Sequence, residues 1–263
     1  MSIVTLESIW KRFGDRIVLR GFDMVVEQGE MKIILGGSGS GKSTILKIVL
    51  GLVRPDRGRV IVFGNDISDW DDARLTQIRR RIGMVFQAGA LFDSLSVGEN
   101  VAYRLREQNR LPEEEIQSTV RQLLSFVGLE HTVDKMPDEL SGGMRRRVAI
   151  ARALAGDPEL MLYDEPTAGL DPITSRTICE LLISLRDLRG VTSILVTHDL
   201  QVARTLAEEK ARLTENGTVE FLAKEEEKTH TNVLLLRDGR VFLEGSLEDL
   251  FRSDDPYVRE FVE

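Results

Sequence analysis

The residues Gly36, Gly37, Ser38, Gly39, Ser40, Gly41, Lys42, Ser43 and Thr44 carry the most specific chemistry in this chain. They fit the pattern G-x-x-x-x-G-K-[ST], a loop that binds phosphate. Its glycines let successive backbone N–H groups turn inward onto phosphate oxygens, with a helix N-terminus behind them. In such a loop Lys42 reaches the β- and γ-phosphates and the Ser43 hydroxyl becomes a Mg²⁺ ligand. A flexible Gly/Ser linker has a similar composition, so context decides. The apolar run Met31-Lys32-Ile33-Ile34-Leu35 leads in as a strand, and residues 44–50 lead out as a helix.

Phosphoryl transfer also needs an oriented water, and a carboxylate at the end of a neighbouring strand would supply that. Leu160-Met161-Leu162-Tyr163-Asp164-Glu165 has the form: a core strand ending in acids, where a parallel sheet gathers its ligand sites. Asp164 would hold Mg²⁺, directly or through water, and Glu165 would polarise the attacking water as general base. Many strands end in polar residues, so this pair gains its meaning from the phosphate loop.

The elements that must position these residues follow from patterning. Residues 3–35 read as short antiparallel strands, with apolar clusters separated by Gly14-Asp15, Gly21 and Gln28-Gly29. Further strands are expected at residues 60–64, 82–86, 160–163 and 193–196. Residues 88–156 turn helical: Pro112 with Glu113, Glu114 and Glu115 starts one helix, and Ser141-Gly142-Gly143 opens another. Arg145, Arg146 and Arg147 read as a solvated face of the latter, and Cys179 as core packing in a helix over 173–189. Alternating strand and helix argue a mainly parallel sheet. Residues 208–230 carry charge blocks around Asn216-Gly217, which reads either as an exposed hairpin insertion or as an acidic loop.

Composition sets the outer limits. The 263 residues suffice for one large α/β domain, with 42% hydrophobic and 30% charged residues. A net charge of −8 argues against nucleic acid as the main partner. One cysteine leaves no disulfide framework and no cysteine zinc site, and suits a reducing compartment. No run approaches the roughly 18 apolar residues of a membrane span, and residues 1–7 do not read as a signal peptide. Work at a membrane would then require docking through a partner.

The order of the motifs resembles the ATP-binding subunits of ABC transporters. Leu140-Ser141-Gly142-Gly143-Met144 is similar to the family signature L-S-G-G-Q and stands upstream of Asp164-Glu165. Gln87 fits the Q-loop, Ala168-Gly169-Leu170-Asp171 the D-loop, and His198 the switch histidine. Phe13 stands where the family has a tyrosine stacked on adenine, and keeps a stacking face. Met144 replaces the usual glutamine. Singly, each motif has a plainer reading: a solvated Gln, a hydrogen-bonded structural His, a Ser helix cap. Their joint order, over residues 3–250, overturns these. His131 and His230 have no such support and read as surface residues.

The resemblance implies a fold and a cycle. The fold is an ABC-type P-loop NTPase: a mainly parallel sheet core, an antiparallel β subdomain and a helical subdomain at about 88–156, in one domain over 1–263. Lys42, Gln87, Glu165 and His198 would be catalytic, and Ser43, Gln87 and Asp164 would face Mg²⁺. Phe13, residues 36–44, Ser141, Gly142, Gly143 and Asp171 would contact ATP. Two copies would bury ATP head to tail, Ser141 and the glycines of one facing the γ-phosphate held by the other.

A narrower likeness runs from Phe86 to Tyr103, with Leu105-Arg106-Glu107, the signature Ser141-Gly142-Gly143-Met144 and Asp171-Pro172-Ile173-Thr174. It is similar to the ATPases of bacterial MCE-linked, Mla-type phospholipid transporters. Implied partners are integral-membrane permease subunits, a second copy of the chain, a small regulatory subunit, and indirectly an MCE-type lipid-binding protein. The implied place is peripheral, on the cytoplasmic face of the inner membrane. Leu91 and Phe92 would line the groove for the permease, unless they are core residues of the helical subdomain. An ABC ATPase for another cargo, such as amino acids, is the alternative. A non-transport ABC protein fits less well, since that class has tandem domains, coiled-coil insertions or zinc modules.

Overall fold

The computed structural model describes residues 1–108, 111–223 and 230–262. The chain opens with β1 (Ser2–Phe13), β2 (Arg16–Glu27) and β3 (Met31–Leu35), followed by α1 (Lys42–Val49). Then come β4 (Arg57–Val62), β5 (Asn65–Asp66), α2 (Asp72–Arg79) and β6 (Ile82–Val85). A helical stretch follows: α3 (Val97–Glu107), α4 (Glu113–Phe126) and α5 (Gly142–Leu154). Next are β7 (Leu160–Asp164), α6 (Pro172–Arg189), β8 (Thr192–Thr197) and α7 (Leu200–Glu208). The chain continues through β9 (Glu209–Leu213), β10 (Val219–Ala223), β11 (Thr231–Arg237), β12 (Arg240–Gly245), α8 (Leu247–Phe251) and α9 (Pro256–Val262).

The central sheet runs β12-β11-β3-β8-β7-β6, parallel throughout except for the edge strand β12. All five residues of β3 are buried, as in a strand covered on both faces. The period of two divides its side chains between two cores. Ile33 and Leu35, with Met161 and Tyr163 of β7, pack toward α3–α7. Ile34, with Leu160 and Leu162, packs toward α1, α2 and the antiparallel sheet β2-β1-β4-β5. Sandwiched in this way, the C-terminal ends of β3 and β7 are held in register by β8 between them.

Two features differ from the sequence expectation. Residues 2–27 form two strands of 12 residues each, longer than the punctuation suggested. Gly21 does not end a strand. It has φ 69° where the register shifts from Ile9↔Phe22 to Trp10↔Arg20, so it is the extra residue of a bulge. The arginine run on α5 is also not a solvated face. Arg145 is exposed, but Arg146 is buried and donates to the carbonyls of Phe86 (3.4 Å) and Ala168 (3.2 Å). Arg147 donates to the Val127 carbonyl at 2.9 Å. Packed against α3, α4, α6 and β6, this helix has little free circumference. Its long side chains satisfy loop carbonyls that would otherwise lack partners.

β9 and β10 pair as an antiparallel hairpin turned at Gly217, whose φ is 77°. Arg176 of α6 grips Glu209 with two bonds, at 2.5 and 2.7 Å, and Asp187 accepts from the Ala211 N–H at 2.8 Å. The rest of the expected insertion, residues 224–229, lies outside the described residues. Among the described residues, no helix is long and apolar enough to cross a membrane.

Candidate nucleotide site

The loop between β3 and α1 works because of what surrounds it. Gly41 caps α1 with φ 110°, and a Cβ there would stand 2.9 Å from Val18 Cγ1 of β2. Only glycine fits both the backbone angle and the approach of β2. Lys42, buried at the helix start, donates from Nζ to the carbonyls of Gly36 (2.8 Å) and Gly37 (3.1 Å). It stands 3.5 Å from Glu165 Oε1. The ammonium is thus held beneath the loop, aimed along the N-terminal end of α1.

The acids arrive from β7, two strands away. Ser43 Oγ donates to Asp164 Oδ1 at 2.7 Å, tying α1 to β7. Burial pushes the Asp164 carboxyl up from the ordinary carboxylate range; the Ser43 hydroxyl pulls the other way and the neighbouring Glu165 adds to the rise. Glu165 follows the strand with φ 49°, rare for a residue with a side chain, and its N–H is held by the Val196 carbonyl at 3.0 Å. That turn aims its carboxylate at His198, beyond the end of β8. His198 Nδ1 lies 3.0 and 2.9 Å from the two carboxylate oxygens of Glu165.

Apart from Asp164, which lies behind Ser43, these groups share one cavity of about 480 Å³. Its lining includes Ser38, Gly39, Gly41, Lys42, Ser43, Thr44, Gln87, Glu165 and His198. It therefore offers backbone N–H groups, one ammonium, one carboxylate–imidazole pair and a cluster of hard oxygen donors. Such a set binds a polyphosphate and orients a water against its terminal phosphorus. Gly36, Gly37 and Ser40 lie in the loop outside that lining, and the Ser40 hydroxyl is buried with no hydrogen-bond partner among the described residues.

Other expected site residues stand apart. Phe13 is half exposed, with the Lys11 ammonium 5.3 Å above its ring, and is not part of the cavity wall. Ser141 caps α5 by accepting from the Met144 N–H at 3.2 Å. Asp171 caps α6, accepting from the Thr174 N–H at 3.0 Å and the Thr174 hydroxyl at 2.6 Å. These two helix starts touch. A Cβ on Gly143 would meet Thr174 Cγ2 at 2.1 Å, so glycine is needed for α5 and α6 to approach. None of Ser141, Gly142, Gly143 and Asp171 lines the cavity around Lys42.

Two lining residues went unnoticed in the sequence, Arg16 and Val18 of β2. They belong to no motif. The signal that would have found them is pairing: Phe13 opposes Arg16 at the turn of the β1–β2 hairpin. Leu91 is half-buried against the core, whereas Phe92 is exposed, its ring packed at a 43° tilt with its centroid 4.7 Å from that of Tyr103.

Comparison with known proteins finds relatives along most of the chain. A family model described as "ABC transporter" matches residues 19–168. The intermembrane phospholipid transport system ATP-binding protein MlaF of Haemophilus influenzae is 35% identical over 261 residues, 99% of this chain and 90% of its own length. The probable ribonucleotide transport ATP-binding protein mkl of Mycobacterium tuberculosis is 35% identical over 259 residues, 98% of this chain and 66% of its own length. Among solved structures, the dimeric ATP-binding cassette MJ0796 in a post-hydrolysis state bound to ADP and Pi superposes with a TM-score of 0.77. It is 35% identical, over 93% of this chain and 98% of that one.

Proposed function

The chain belongs to the ABC transporter family as one of its ATP-hydrolysing subunits, and we propose that the transport it drives is that of phospholipids. The reading of the site rests on one observation. Lys42, Ser43, Gln87, Glu165 and His198 line a single cavity, with Asp164 bonded behind Ser43.

In this reading ATP lies along residues 36–44, its γ-phosphate toward Glu165 and His198. Lys42 leaves its loop carbonyls to neutralise the β- and γ-phosphates. Glu165 takes the proton of the attacking water, and His198, bonded to both carboxylate oxygens, holds that carboxylate in line. Mg²⁺ suits the donor set, since Ser43 Oγ, Asp164 Oδ1 and the Gln87 amide oxygen are hard oxygen ligands. When bound, it would offset charge on the phosphate oxygens.

The helix start at Ser141, Gly142 and Gly143 offers the N–H groups and partial positive charge of a helix N-terminus, away from the cavity of its own chain. A second copy, docked head to tail, would bring that start onto the γ-phosphate. The Asp171 cap, in contact through Thr174 with Gly143, would lie in the same interface. Hydrolysis removes the bridging γ-phosphate and the pair opens, moving a permease docked near Phe92 at the cytoplasmic face of the membrane. An MCE-type lipid-binding protein would act with that permease.

The cargo is tested by expressing the chain with its permease in lipid nanodiscs. Phospholipid is expected to be extracted with the permease and to be moved only with ATP. ATP turnover stimulated by an amino acid or a ribonucleotide, with no phospholipid moved, would contradict the proposal.

A further inference from the structure

We propose that Arg16 is a second cationic contact for the nucleotide, acting on its α-phosphate. The inference rests on the reading of this cavity as the ATP site. Three observations carry it. Arg16 lines the cavity together with Lys42, Glu165 and His198. Its Nη2 donates to the Gly39 carbonyl at 2.7 Å, so β2 is latched onto the phosphate loop. No carboxylate pairs with it among the described residues, while the nearby Lys42 is within 3.5 Å of Glu165.

A guanidinium has five N–H donors in a flat fork, and the bond to Gly39 uses one. The remaining donors and the full charge sit in a cavity whose other groups suit a polyphosphate. Gly39 permits the approach: its φ is 71°, and a Cβ there would stand only 3.1 Å from Arg16 Nη2. A side chain at residue 39 would push the fork away.

The position along the nucleotide follows from the two ends of the cavity. Glu165, His198 and Gln87 mark the end where the terminal phosphate reacts. Arg16 enters from β2, directly opposite Phe13 in the hairpin register, on the side where the base is expected to lie. Between base and γ-phosphate, on the β2 side of the loop, stands the α-phosphate. A charge-assisted contact there is made equally in ATP, in ADP and in the transition state. It strengthens binding without accelerating the chemical step.

The test is equilibrium binding of ATP and ADP, followed by fluorescence of a labelled nucleotide, with steady-state ATP hydrolysis alongside. For Arg16→Ala the Kd for ATP and for ADP should rise by the same factor, about tenfold or more, with KM following. The turnover number should stay within about twofold, as uniform binding requires. Arg16→Lys should recover part of the affinity, because it restores the charge without the fork. An unchanged Kd would overturn the proposal. So would weakened ATP binding with ADP binding intact, or a fall in turnover larger than the fall in affinity, which would assign Arg16 to shaping the loop. Failure of the wild-type chain to bind ATP would instead overturn the reading of the cavity itself.

Discussion

Glu165 carries the chemistry that most depends on geometry. Its carboxylate has an ammonium 3.5 Å away on one side and the His198 ring at 2.9 Å on the other. The positive φ of 49° at this residue is what aims the carboxylate between them. Replacing it by glutamine keeps the shape and removes the base. Glu165→Gln should lower ATP turnover by about 10²- to 10⁴-fold and trap an ATP-bound dimer visible by size exclusion. Rapid hydrolysis by that variant would remove Glu165 from the role. The residues of this scale that were legible in the sequence are those fixed by local spacing: Lys42, Ser43, Asp164 and Glu165 each stand inside a short run with its own logic. Arg16 and Arg146 were not legible, because what they bond to, Gly39 and the carbonyls of Phe86 and Ala168, is brought near only by tertiary folding.

At the scale of elements, β3, β7 and β8 announce themselves as short apolar runs, and their parallel register then sets Ser43 against Asp164 and Glu165 against His198. The length of β1 and β2 was hidden because Gly21 reads as a break, whereas a bulge lets the ladder continue past it. The β9–β10 hairpin stands where Asn216-Gly217 signals a turn, but its attachment to α6 has no local signature. That attachment joins it to the helix capped by Asp171, through Arg176–Glu209 and Asp187–Ala211. Both members of the ion pair are partly exposed, so the bond itself contributes at most about 1 kcal/mol. Arg176→Ala should therefore leave global stability nearly unchanged. It should speed amide hydrogen exchange across residues 209–223, with the central sheet as protected as before. Unchanged protection of the hairpin would mean that the Asp187–Ala211 bond and apolar contacts such as Phe221 hold it without Arg176.

In the proposed reading, the whole molecule is half of a site. One region of the chain holds the cradle and the acid. The start of α5, with Ser141 exposed at its cap, lies outside that cavity. The close approach of Gly143 to Thr174 sets the start of α5 beside the start of α6, which Asp171 caps. The most direct measurement is turnover per chain as a function of protein concentration, for the wild type and for Ser141→Glu, with ATP affinity measured on both. Turnover of the wild type should rise as chains pair. Ser141→Glu should bind ATP with the same Kd, yet hydrolyse it about a hundredfold more slowly at every concentration, because the acid repels the partner's γ-phosphate. Full-rate hydrolysis by dilute Ser141→Glu would show that a single chain is sufficient, and would contradict the head-to-tail account.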